Sequence, residues 1–152
     1  MKIIKKALLF CLVGFISFTL TGCGEKEIEG KLEDLMNNLY ADVETPMGLQ
    51  NMVPEADQIE YYIGTKDIKY DEILVSESQV GSIAHSVVLI RLKDGEDIEA
   101  AKTKIKENVK ADKWICVQAE KVTVKSKGHL IMLVMSSEDQ ATKIEANFDN
   151  LK

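Results

Sequence analysis

Four consecutive residues, Val87-Val88-Leu89-Ile90, constrain this chain more than any other stretch. Successive side chains of a strand point to opposite faces. A strand that is apolar at every position has no face to offer water and belongs in a sheet covered, at least locally, on both sides. The flanking pattern extends this reading. Residues 71–80 alternate loosely as a strand, Gly81-Ser82 breaks them, and residues 83–92 return as the apolar strand, which Lys93-Asp94-Gly95 ends.

A helix is expected from about residue 96 to 111, with Ile98, Ala101, Ile105 and Val109 turned inward. Acids at its start and Lys110 and Lys113 at its end suit the helix dipole. The order then repeats. A strand is clearest at 120–124, Lys127-Gly128 reads as a hairpin turn, and residues 129–135 return as a strand. Ser136-Ser137-Glu138-Asp139-Gln140 offers a capped helix start, followed by a stripe of Ala141, Ile144, Phe148 and Leu151. Strand, strand, helix thus occurs at about 70–111 and again at 119–151, although residue identity between the two units is too weak to make a repeat. The expected fold is α+β: a mainly antiparallel four-stranded sheet with helices packed on it.

Upstream, Ile28, Leu32, Leu35, Met36 and Leu39 follow the helical period and predict an N-terminal helix docked on that sheet. Residues 44–54 carry Pro46, Gly48 and Pro54 and read as a loop. Met47, Leu49, Met52 and Val53 make it unusually apolar, either folded over a core edge or serving as a recognition surface. A short helix follows, with Ile59, Tyr62 and Ile63 on one side and Gly64 as its cap.

The N-terminus has a different grammar. Lys2, Lys5 and Lys6 precede an uncharged apolar run over residues 7–20. That run is shorter than the roughly 20 residues a membrane span requires and reads as a secretory signal core. Leu20-Thr21-Gly22-Cys23 resembles the lipobox of bacterial lipoprotein signals. The resemblance implies transfer of a diacylglycerol group, carrying long chains such as palmitate, to the Cys23 thiol as a thioether, followed by cleavage between Gly22 and Cys23. The expected organisation is a signal peptide at 1–22, an acylated anchor and linker at 23–28, and one extracytoplasmic domain at 29–152. Two acyl chains on Cys23 would hold the protein stably on the outer face of the cell membrane.

The formal charge is −6, from 19 basic and 25 acidic residues. Loss of the three leader lysines leaves 16 basic residues against 25 acidic ones, a net of about −9. Nucleic acid is not an expected partner, since its binding rests on neutralised phosphates. An anionic bilayer would hold such a domain off its surface. Heavy use of Lys, Ile, Glu and Asn with one arginine, Arg91, suits a low-GC Gram-positive bacterium.

Chemistry is sparse. With Cys11 in the leader and Cys23 acylated, Cys116 stands alone, so neither an intrachain disulfide framework nor a thiolate metal cluster is expected. Within Trp114-Ile115-Cys116-Val117, Cys116 reads as a small buried hydrophobe rather than a nucleophile. His85 and His129 lack metal-ligand spacing and read as surface or strand-edge histidines. No GxSxG, phosphate loop, GxGxxG or HExxH sequence occurs. Acidic pairs fall where helices and strands begin and read mostly as caps. Tyr61, Tyr62, Tyr70 and Trp114 suit either a sugar or peptide groove or half-buried core positions. The expected function is a membrane-anchored binding or interaction domain without cofactor or metal, attached to lipid through Cys23 and engaging an envelope protein. The alternative is a small envelope hydrolase or thiol enzyme using Cys116 or His85.

Trp114-Ile115-Cys116-Val117, Glu120-Lys121-Val122 and the Lys127-Gly128 turn before Leu130-Ile131-Met132-Leu133-Val134 carry a further resemblance. Across about residues 29–151 the chain resembles a family of uncharacterised lipoproteins of Gram-positive bacteria, the domain-of-unknown-function family forty-three fifty-eight. The resemblance implies a lipoprotein signal and a small α+β domain, and brings no established activity or ligand site.

Overall fold

A computed structural model describes residues 26–152, so the expected lipidation and cleavage sites at Gly22 and Cys23 lie outside the described residues. The element order is α1 (Leu32–Leu39), β1 (Leu49–Met52), α2 (Ile59–Ile63), β2 (Tyr70–Ser78), β3 (Ser86–Leu92), α3 (Ile98–Asn108), β4 (Lys121–Lys127), β5 (Leu130–Ser136) and α4 (Glu138–Asp149). Among these, no helix is long and apolar enough to cross a membrane.

The fold is α+β, and every strand pairing is antiparallel, in the order β1-β2-β3-β5-β4. The sheet has five strands rather than the expected four. The fifth comes from residues 44–54, expected as loop, where Leu49 to Met52 pair with Ser78 to Val75. Four residues bracketed by Gly48 and Pro54 are too few for period-2 alternation to stand out, and only the pairing partner makes them a strand.

The doubly apolar strand behaves as its composition requires. In β3, Val87 and Leu89 join Leu74, Met132 and Val134 on one face of the sheet, beneath α1 and α4. Val88, Ile90 and Leu92 join Ile73, Val75 and Leu133 on the other, beneath α2, α3 and Trp114. Both faces are therefore dry, and β3 and β5 lie at the centre of a three-layer sandwich. Complete burial of side chains such as Phe148, Ile105 and Leu89 contributes roughly 1.5–3 kcal/mol each.

The two strand-strand-helix units are not copies in three dimensions. A rotation about the sheet normal would superpose the hairpins across the β3–β5 pair and leave both helices on one face. Instead Ala101 and Ile105 of α3 pack on the second face, while Ala141, Ile144 and Phe148 of α4 pack on the first. Local chemistry agrees with the expectations for these helices. The Asp97 carboxylate accepts from the Ala100 amide at 2.9 Å, and Ser137 caps α4. Gly64 ends α2 at φ +79°, and a Cβ there would lie 2.4 Å from the Asn108 carbonyl carbon, so this cap can only be glycine.

The N-terminal segment is pinned. Arg91 donates through Nη1 to the Ile28 carbonyl (2.6 Å) and through Nη2 to that of Gly30 (2.7 Å). The Glu27 carboxylate accepts from the backbone N–H of His129 (3.1 Å) and from its Nδ1 (2.7 Å). Above all the hydrogen bond donated by the His129 backbone N–H holds the Glu27 carboxyl below its ordinary pKa. Ile28 itself is buried in the first core. The chain thus enters the fold at the end of the sheet marked by the Gly128 turn.

Candidate functional site

The opposite end of the sheet, where β2 turns into β3 and β5 ends, holds buried polar side chains on both faces. Period-2 alternation puts them there: His85 lies two residues before Val87 and shares its face, and Glu77 lies two after Val75 and shares the other.

On the first face, Tyr40 Oη lies 2.7 Å from His85 Nε2, and His85 Nδ1 lies 2.7 Å from Ser136 Oγ. Ser136 and Ser137 donate to Gln140 Oε1 at 2.8 and 3.1 Å, and Gln140 Nε2 donates to the Glu44 carbonyl at 2.7 Å. Because Ser136 uses its proton on Gln140, it accepts from His85 Nδ1–H, which leaves Nε2 to accept from the Tyr40 hydroxyl. All these bonds therefore run one way, through neutral groups. Burial drives the His85 pKa down to about 4, with a smaller opposing effect from Gln140, and it drives the Tyr40 phenol up. Ser76 Oγ is buried without a hydrogen-bond partner.

On the second face, Lys113 Nζ lies 2.8 Å from Glu77 Oε2, with the two side chains 3% and 7% exposed. Ser86 Oγ donates to the same carboxylate oxygen at 3.2 Å. The ammonium lies 4.6, 4.8 and 5.0 Å from the ring centroids of Tyr61, Tyr62 and Trp114. Three aromatic faces and one carboxylate thus replace its water. Burial pulls the Lys113 pKa down, against the pull of Glu77.

The candidate residues from the sequence are dispersed. His85 is fully buried rather than at a surface, because α1 and α4 close over its face. His129 stands at the other end of the β3–β5 ladder, so the two histidines do not meet. Cys116 is exposed rather than buried: it sits at φ +61° in an irregular loop that leaves the core after Trp114. The shallow hollow beside it is lined by Asp112, Trp114, Val117 and Gln118 and contains no histidine. No group of three metal-ligating side chains occurs among the described residues. Of the four aromatics considered for a groove, Tyr61, Tyr62 and Trp114 surround Lys113, whereas Tyr70 lines a groove at the sheet edge. Sequence reasoning missed the Tyr40 and Ser136 bonds to His85 and the Lys113 pairing with Glu77, since each joins residues at least 36 positions apart. Strand parity was the one available signal.

No family model, no curated protein and no solved structure matches this chain.

Proposed function

We propose that this protein is a lipoprotein held on the outer face of a bacterial membrane through acylated Cys23, and that its domain binds a protein partner or envelope component without chemistry of its own. Membership in the lipoprotein family named above is part of the same reading. The observation that carries the non-catalytic half is the engagement of His85. Both of its ring nitrogens are bonded inside the fold, at 2.7 Å each, and His85 is fully buried whereas Cys116 is exposed in a loop. A thiol enzyme of the alternative reading would pair its sulfur with an imidazole base, and the hollow beside Cys116 contains no histidine.

The geometry of the N-terminus suits an anchor. Five chain steps from Cys23 to the pinned Ile28 span at most about 18 Å, so the Gly128 end of the sheet would face the lipid. The end carrying the buried polar clusters would point away, together with exposed Met47, Tyr61 and Ile115. In-cell crosslinking and capture, comparing the native chain with Cys23→Ser, tests both halves. A stoichiometric partner and acylated Cys23 are expected. An unmodified Cys23 overturns the anchor, and labelling of Cys116 by a thiol-directed activity probe that depends on His85 overturns the non-catalytic reading.

A further inference from the structure

The binding-domain reading leaves open where a partner would sit, and the two edges of the sheet differ in a way that selects one. The outer edge of β4 is punctuated by Lys121, Lys125 and Lys127, the charged residues that commonly discourage strand addition. The β1 side has no such guard. There β1 pairs with only part of β2, ending at Met52 opposite Val75. Pro54, which lacks an N–H, then leads the chain away toward α2.

That departure leaves backbone unpaired. Gln79 N donates to Gly48 O at 3.0 Å, whereas Ser78 N donates to His85 O at 3.2 Å. From Ile73 to Ser78, clear of the register shift between Tyr70 and Glu72, odd-numbered residues of β2 therefore turn their amides toward β1, and even-numbered ones toward β3. By the same alternation Ile73, two residues beyond the last β1 pair, directs its N–H and C=O into the gap. The gap is a groove of about 280 Å³ between the start of α1 and the Val53-Pro54 segment, lined by Leu32, Glu33, Val53, Asp71 and Ile73 among others. Val53 is 68% exposed. Glu72 at the same rim is already paired with Arg91 at 2.9 Å, but Glu33 and Asp71 have no ion-pair partner among the described residues.

We propose that this groove takes one extended segment of a partner protein, added beside β2 as a further strand. Its backbone pairs with Ile73, an apolar side chain covers Leu32 and Val53, and a basic side chain meets Glu33 and Asp71. The combination of ladder groups, apolar walls and unpaired carboxylates fits a basic-apolar alternating peptide. An anionic lipid or nucleic acid would meet the wrong charge.

The test uses the full chain in detergent micelles, labelled with nitrogen-15, and the peptide acetyl-Val-Lys-Val-Lys-Val-amide. Saturable shifts of the Glu72 and Ile73 amide resonances are expected. N-methylation of the internal peptide amides should weaken binding at least about tenfold by removing ladder hydrogen bonds. Combining Glu33→Gln with Asp71→Asn should weaken it roughly threefold or more. The proposal is overturned by an absence of saturable shifts, by equal affinity for the N-methylated peptide, or by shifts confined to β4. It is also overturned if raising the protein concentration alone protects Ile73, which makes a second copy the occupant. A partner captured in cells by a chain that ignores the peptide removes the groove and leaves the binding-domain reading intact; loss of both removes that reading as well.

Discussion

The two faces of the sheet bury polar groups at the same end, and they do so by opposite electrostatic means. Around His85 the first face holds a directional chain of neutral hydrogen bonds, each donor matched to one acceptor. Around Lys113 the second face holds a full ion pair, with aromatic rings in place of water. Neutral chains lose stability when one member gains a proton, whereas an ion pair loses it when one member is removed. The difference teaches that burial alone does not set the chemistry of a site; what matters is whether the buried group retains its charge.

The largest expected effect comes from breaking the pair. Glu77→Gln leaves the ammonium of Lys113 uncompensated and should lower unfolding free energy by about 3–5 kcal/mol in urea denaturation. The double variant Glu77→Leu with Lys113→Met should recover most of that loss, because apolar replacements of similar volume remove both desolvation costs. If the double variant is no better than the single one, the aromatic rings rather than the ion pair hold that end together.

The neutral chain makes a prediction in pH. In the fold His85 stays unprotonated down to about 4, while the unfolded chain binds a proton below about 6.5. Between those values the unfolded state carries more protons, so the contribution is complete above about pH 6.5 and falls as pH drops toward 4. The total loss is about 3 kcal/mol, read as the difference between the native chain and His85→Gln across the same series. Parallel pH profiles for the two proteins would place the titration elsewhere.

Smaller still, Tyr40→Phe removes the hydroxyl that donates to His85 Nε2 and leaves a buried acceptor unsatisfied. About 1–3 kcal/mol is expected at neutral pH, with a shallower acid slope if the empty site admits water that stabilises the imidazolium. At the bottom of the scale, Lys102→Ala breaks an exposed pair with Glu99 on α3 and should change stability by about 0.5 kcal/mol or less. A larger change there would mean that α3 contributes more to the second face than its two buried residues suggest.

Much of the architecture was legible along the chain because it depends on neighbours. The α1 stripe, the caps at Asp97, Ser137 and Gly64, the Lys127-Gly128 turn and the double-sided β3 each follow from residues within a few positions of one another. The strand at Leu49–Met52 was not legible, since it owes its existence to the β2 edge. Cys116 and His85 exchanged their expected environments for a related reason. An apolar tetrapeptide says nothing of a loop that turns outward after Trp114, and a histidine at the start of a strand says nothing of helices that later close over it.

By itself, then, the sequence determined the period of each element, the points where helices start and stop, the need for two covered faces, and the expectation of an anchor at Cys23. Those properties rest on propensity, capping and hydrophobic spacing, which act over a turn or two of chain. Tertiary structure alone decided which face each helix covers, which polar residues are buried, which proton each of them holds, and which edge of the sheet stays open. Those outcomes depend on residues tens of positions apart sharing one low-dielectric space, where a charge must find its partner or disappear.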